Sequence, residues 1–344
     1  MGVMALTATA CGHEKQDRTR PDLTQQPLTG PMRQLWTRYF GRKGRLKRRV
    51  AARKKERALS PFQYTDSPNI SLVLLSFNHR RNVAPIITRL RKTGAQEVIV
   101  CEDGSVDGSE REWMKHLTRP NDFLIRSNDI HEIRSYNRAI DHARAEIVCI
   151  MQDDDIPPER GEWVSDALAL FDRHPKLGVL GCWVAWMFPL PDTRPSHVFG
   201  YDDNEQLRAA WGISPIPYVE PELKIPFMFV HTVGLGPMFF RKSVFRSLGG
   251  FDLSFSAPGE SGIALEHDVC YRAWFSGHQV GLFDAPGFTR CVGGQGTIMF
   301  GDDIRKRNKR SNMETVKQRY SAGIDELNQT ISALNQNLVP ASGG

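Results

Sequence analysis

The chain has 344 residues, 40% of them hydrophobic and 9% aromatic, with a formal net charge of +6. That balance builds a sizeable globular core and excludes a fibrous or low-complexity chain. No apolar run approaches the ~18 residues that a membrane-spanning helix needs. The six cysteines include no C-x-x-C pair. They read as reduced thiols of a cytosolic protein rather than as a zinc site or a disulfide framework.

The charge is uneven. Residues 33–57 hold twelve Lys and Arg against Glu56, a local charge of +11 that leaves the other residues at −5. Residues 1–65 are predicted as an N-terminal extension, polar at first and basic thereafter. Its start has no basic n-region and no full apolar core, so no signal peptide is read there. Leu35, Trp36, Tyr39, Phe40, Leu46 and Val50 form a helical stripe beneath a cationic face. The pattern suits peripheral contact with an anionic membrane, or a plain solvated extension. No specific nucleic-acid module accompanies it.

Residues 66–300 read as the main domain. "ISLVLLSF" is a buried strand. "NVAPIITRLRKTG" carries Val83, Ile86, Ile87 and Leu90 at helical spacing, with Gly94 as its stop. "EVIVC", "DFLIRS" and "EIVCIM" are three more strands. "SEREWMKHL", "IRSYNRAIDHARA" and "GEWVSDALALFDRHP" are the helices that alternate with them. Such alternation predicts an α/β fold with a mostly parallel central sheet and helices on both faces. Residues 301–344 read as a C-terminal helix and tail, with Val316, Tyr320, Ile324, Leu327, Ile331 and Leu334 along one face.

Ligands of such sheets bind beyond the carboxyl ends of the strands. Two acidic clusters fall there: "CEDGSVDGS" after the second strand and "QDDD" after the fourth. Asp153, Asp154 and Asp155 are hard oxygen donors that suit a divalent cation shared with substrate phosphates. The competing reading is a solvated acidic loop that caps the next helix. In the first cluster, Asp107 and Ser109 read as helix caps. Glu102 and Asp103, at the strand tip, are placed to accept hydrogen bonds from a base or ribose.

These pieces, followed by "LGGFDLSF" and "LEHDVCYRAWFSGHQVGLF", resemble a family 2 glycosyltransferase of the GT-A fold over about residues 70–290. The resemblance implies transfer of a sugar from a nucleotide-sugar, UDP-sugar favoured, to a glycan or other hydroxyl acceptor with inversion. It implies Mn²⁺ or Mg²⁺ at the DXD motif, with Asp155 as the direct ligand, Asp153 beside it, and Asp153 and Asp154 near the ribose. Glu102 and Asp103 match the nucleotide-binding positions, and Arg134 and Arg138 the family's arginine-bearing helix. Glu266 matches the catalytic base, with Asp268 as its rival. Leu265 and Glu266 depart from the usual Glu-Asp pair. No His follows in "TRCVGGQGTIMFGDD", which leaves the family's further metal ligand unfilled, and His267 reads as structural. Trp183, Trp186, Trp211 and Tyr218 are candidates to stack on a sugar, or simply to pack. Two rivals stand beside this reading, a sugar nucleotidyltransferase and a GT-A-like binding protein without turnover. The expected location is cytoplasmic, in peripheral contact with a membrane if the basic segment docks.

Overall fold

The computed structural model describes residues 64–188, 197–202, 205–290 and 302–341. The chain divides into two units, and all of these residues belong to the second, Ser60–Gly344. The basic segment 33–57 and most of "TRCVGGQGTIMFGDD" lie outside the described residues.

The first half alternates as its periodicity predicts. Strands β1 (Ser71–Ser76), β2 (Glu97–Glu102), β3 (Asp122–Arg126) and β4 (Ile147–Gln152) are joined by helices α1 (Arg80–Leu90), α2 (Ser109–His116) and α3 (His131–His142). After β4 come β5 (Asp155–Ile156), α4 (Glu162–Arg173) and β6 (Leu177–Gly181). Leu72, Val73 and Leu74, Val98 to Val100, and Val148 to Met151 are all fully buried. That is the signature of strands covered on both faces.

The middle of the chain departs from alternation. β7 (Val184–Met187), β8 (His197–Gly200), α5 (Glu205–Trp211), β9 (Ile213–Ser214), β10 (Tyr218–Val219), β11 (Phe227–Phe229) and β12 (Thr232–Val233) are short. β12, β7, β8 and β9 make a small separate sheet. β13 (Met238–Arg241), α6 (Lys242–Ser247), α7 (Leu265–Phe275) and β14 (Gln279–Phe283) then return to the main layer, and β15 (Thr289–Arg290) pairs with β5. The chain continues through α8 (Asp302–Tyr320), α9 (Ile324–Gln336) and β16 (Val339–Pro340). The C-terminal stripe, read as one helix, is two, broken at Ser321–Gly323.

Among the described residues the main sheet has eight strands in the order β11-β14-β6-β13-β4-β1-β2-β3. β1 runs parallel to β2 and β4, and β2 to β3. β13 is antiparallel to both β4 and β6, and β11 to β14, so the sheet is mixed. The register puts Ser76 opposite Glu102 and Leu75 opposite Gln152. Both acidic clusters therefore leave the sheet at one level, on its carboxyl edge. At the far edge, the Asn335 amide of α9 accepts from Phe229 N at 2.8 Å and donates to Phe229 O at 2.9 Å.

Among the described residues no helix is long and apolar enough to cross a membrane. Cys101, Cys149, Cys182 and Cys270 are buried thiols.

Candidate active site

The loop after β1 closes onto the aspartate cluster. Phe77 N donates to Asp153 Oδ2 at 2.6 Å, and Asn82 Nδ2 donates to Asp153 O at 2.8 Å. His79 Nδ1 lies 2.8 Å from Asp153 Oδ1. Burial pushes the Asp153 carboxyl up, with His79 opposing, and the Asp153 contact raises His79 above the ordinary imidazole range. Both oxygens of Asp153 thus hold protein groups. Asp155 is 1% exposed, and its Oδ2 accepts from Gln152 N at 3.1 Å. A Cβ placed on Gly236 would fall 2.5 Å from that same oxygen. Asp154 differs from its neighbours: its Oδ1 has no hydrogen-bond partner. The sequence reading put the cation on Asp155 and Asp153. Both accept hydrogen bonds from backbone N–H groups, while Asp154 Oδ1 is buried without a partner.

The cluster after β2 is likewise bonded inward. Glu102 Oε1 accepts from Ser105 N at 2.9 Å and its Oε2 from Gly104 N at 3.2 Å. Asp103 accepts from Ile130 N at 3.1 Å and His131 N at 2.9 Å. These carboxylates, expected to face a base or ribose, accept from the backbone of the loops at the sheet edge. Asp107 Oδ1 accepts from Ser109 N at 2.9 Å at the start of α2. Ser105 Oγ accepts from Asn78 N, and Asn78 Oδ1 from Val106 N, both at 2.9 Å. The two loops are therefore zipped together along the sheet edge.

On α3, Arg134 Nη1 donates to Ser256 O at 3.2 Å, whereas Arg138 is exposed. Tyr136 OH donates to Met151 O at 3.0 Å, just ahead of the aspartates. The first turn of α3 also carries Glu132, whose Oε2 accepts from Gly262 N at 3.1 Å. Sequence reading passed over Glu132 and His79. Each carried a faint signal: an acid in the first turn of an amphipathic helix, and a His inside "SFNHRRN".

Gly262 leads into α7 and the carboxylates at its N-terminus. Ala264 takes φ +66° there, and Leu265 packs into the core. The Glu266 side chain is 16% exposed. Burial, with help from the charge of Glu132, pushes its carboxyl up to about 7, while Lys309 pulls it down. Asp268 is in a different situation. It is fully buried and receives Arg272 Nε at 2.7 Å, Arg319 Nη1 at 2.8 Å and Tyr320 OH at 2.7 Å. Three donors from α7 and α8 hold it inside the protein. His267 Nδ1 is 2.9 Å from Thr232 Oγ1, and its ring packs edge-on to Trp186 and Phe188. Burial drives that imidazole down to about 3.

Of the aromatic candidates, Trp183 donates to Asp202 Oδ2 at 2.9 Å and lies 5.7 Å from the ring of Trp211, which is 43% exposed. Tyr218 sits on β10, paired with β16. Among the described residues no group of three or more His, Cys, Asp or Glu forms a ready cation site. A divalent ion bound through one carboxylate and a ligand's diphosphate needs no such group, and Asp154 Oδ1 is a buried carboxylate oxygen that lacks a partner.

The mixed α/β sheet, with acids gathered at the carboxyl edge of β1, β2 and β4, defines a GT-A fold. The family described as glycosyl transferase family 2 matches residues 71–248, and the chain belongs to it. Solved glycosyltransferase structures are similar to the chain at low identity. S. aureus TarS 1-349 in complex with UDP-GlcNAc is 16% identical with a TM-score of 0.46, over 69% of this chain and 64% of that one. Mannosyltransferase PcManGT from Pyrobaculum calidifontis, in complex with GDP-Man and Mn²⁺, is 16% identical with a TM-score of 0.43, over 77% and 69%. Against another TarS 1-349 structure, the match spans 59% of the relative's length. No curated protein matches the chain.

Proposed function

We propose that the chain is an inverting glycosyltransferase in which Glu266 is the general base. It would move a sugar from a nucleoside diphosphate to an acceptor hydroxyl. The observation that carries this reading is Glu266 itself. It is a carboxylate in the first turn of a helix, within reach of the charge of Glu132, with its pKa pushed up to about 7. General bases work best when their pKa lies near the operating pH. Asp268, the rival, already accepts from Arg272, Arg319 and Tyr320.

The steps balance with one base. Glu266 takes the proton of the acceptor hydroxyl as that oxygen attacks the anomeric carbon. The bond from that carbon to the diphosphate oxygen breaks, and its electron pair leaves with the nucleoside diphosphate. A single displacement inverts the anomeric centre. When bound, a divalent cation would neutralise charge on the leaving diphosphate. Asp154 is the residue that would hold it. Asp153 and His79 fix the loop beside it, and Glu102 and Asp103 fix the loops that would frame the nucleotide. Arg134 would approach the nucleotide only by giving up the Ser256 carbonyl. UDP-sugars are the first donors to try, on the strength of the family.

The test is release of nucleoside diphosphate by the full chain from a panel of UDP- and GDP-sugars with Mn²⁺. Release from one donor that falls in Glu266→Gln supports the reading. Donor binding without turnover, in water or with any acceptor, would instead make the chain a binding protein.

A further inference from the structure

We infer that the acceptor is an anionic glycan, received along a cationic flank of α8 formed by Arg305 and Lys309 beside Glu266. This rests on the glycosyltransferase reading above and adds the class of acceptor to it.

α8 is seated on the loop that leads into the base. Asn308 Nδ2 donates to Ser261 O at 3.1 Å. Asn312 Nδ2 donates to Phe255 O at 2.7 Å and to Ile263 O at 2.8 Å. Arg307 Nη2 meets Glu260 Oε2 at 2.6 Å. These bonds fix how the helix presents its other faces relative to Glu266, three residues past Ile263. Lys309 follows Asn308 directly, and its positive charge reaches both Glu266 and His267.

Five cations crowd two turns: Arg305, Lys306, Arg307, Lys309 and Arg310, all exposed. Arg305 with Lys309, and Lys306 with Arg310, stand four residues apart, where like charges repel. Among the described residues Arg305, Lys309 and Arg310 form no ion pair, in contrast to Arg307. The chain outside residues 33–57 has a net charge of −5, so this cluster is not a general property of the surface. Two carboxylates, Glu132 and Glu266, lie close by and would repel an incoming anion without it. Arg305 and Lys309 are separated by a rise of about 6 Å along the helix. That geometry holds a phosphate, sulfate or carboxylate to one side while a neighbouring hydroxyl reaches Glu266.

The experiment uses the full chain on an array of immobilised glycans that are neutral, carboxylated, sulfated or phosphorylated. Binding is read at roughly 0.05 and 0.3 M salt, where surface charge is weakly and strongly screened. Binding should be confined to anionic glycans and weaken at the higher salt. Arg305→Glu with Lys309→Glu should cost on the order of tenfold in affinity or more, and Arg305→Lys with Lys309→Arg should keep binding. Circular dichroism checks that each variant is folded. Equal binding of neutral glycans, unchanged binding by the charge-reversed variant, or no charge-dependent binder would overturn the proposal. Phosphatidylserine vesicles serve as a separate arm. If the charge-reversed variant loses the vesicles while wild type binds no anionic glycan, the flank serves a lipid headgroup and the proposal fails. Release of nucleoside diphosphate by wild type reports independently on the glycosyltransferase reading.

Discussion

Arg319 lies 2.8 Å from Asp268, a carboxylate 51 residues earlier in the chain. With Tyr320 OH at 2.7 Å from the same oxygen, it fastens the end of α8 to the first turn of α7. Asp268 therefore locks the helix whose first turn bears Glu266.

That lock predicts a structural phenotype for Asp268→Asn. Removing one partner of a buried ion pair typically costs about 3–5 kcal/mol. Chemical denaturation should show a loss of that order, and Tyr320→Phe a loss of about 1 kcal/mol. If Asp268→Asn keeps its stability and donor binding but loses turnover, Asp268 is the base after all.

Glu266→Gln should lower turnover by about 10²- to 10⁴-fold, the usual contribution of a general base. Donor affinity should change little. Wild-type turnover should rise with pH through about 7, as the carboxyl loses its proton. A flat profile between pH 5 and 8 would remove Glu266 from that role.

The same carboxyl should weaken the fold at high pH. Its pKa stands at about 7 in the protein against an ordinary glutamate value of 4.5. Below 4.5 both folded and unfolded forms are protonated and no penalty exists. Between the two values the unfolded chain ionises first, so the penalty grows, and above 7 it is complete. At 1.36 kcal/mol per unit, its ceiling is about 3 kcal/mol. Glu266→Gln should thus raise the melting temperature over wild type at pH 8 and much less at pH 5.

Asp154→Asn tests the cation. Isothermal titration of nucleoside diphosphate with and without Mn²⁺ should show metal-dependent binding in wild type and little in the variant. Full metal dependence in Asp154→Asn, with loss in Asp155→Asn, would return the cation to Asp155.

Gly236→Ala tests the packing under the cluster. The new methyl would lie 2.5 Å from Asp155 Oδ2, and the backbone there has φ +73°. The strain should cost about 1–3 kcal/mol and disturb the 152–155 turn. A variant as stable as wild type would show that the turn yields freely.

The alternating half of the fold was legible because its strands are short apolar runs and its helices carry clear stripes. β13 was not, because "MFFR" looks the same whichever way it runs. α3 starts at His131, two residues before the apolar stripe shows it, where φ is +58°. In the site, residue types and positions were readable, while commitments were not. Asp103 is used by backbone groups 27 and 28 residues away, and Asp268 by side chains 51 and 52 away. Periodicity carries no trace of such distant partners. It could not tell which of three adjacent aspartates keeps an oxygen free.

Asn335 gives the outer strand of the sheet a partner made of one amide. A strand at the border of a sheet invites pairing with another chain. Bonded at both N–H and C=O of Phe229, the Asn335 amide imitates a neighbouring backbone and occupies the groups through which a second molecule would begin to zip. Truncating the chain before α9, or replacing Asn335 with Leu, should therefore turn a well-behaved protein into one that self-associates in a concentration-dependent way.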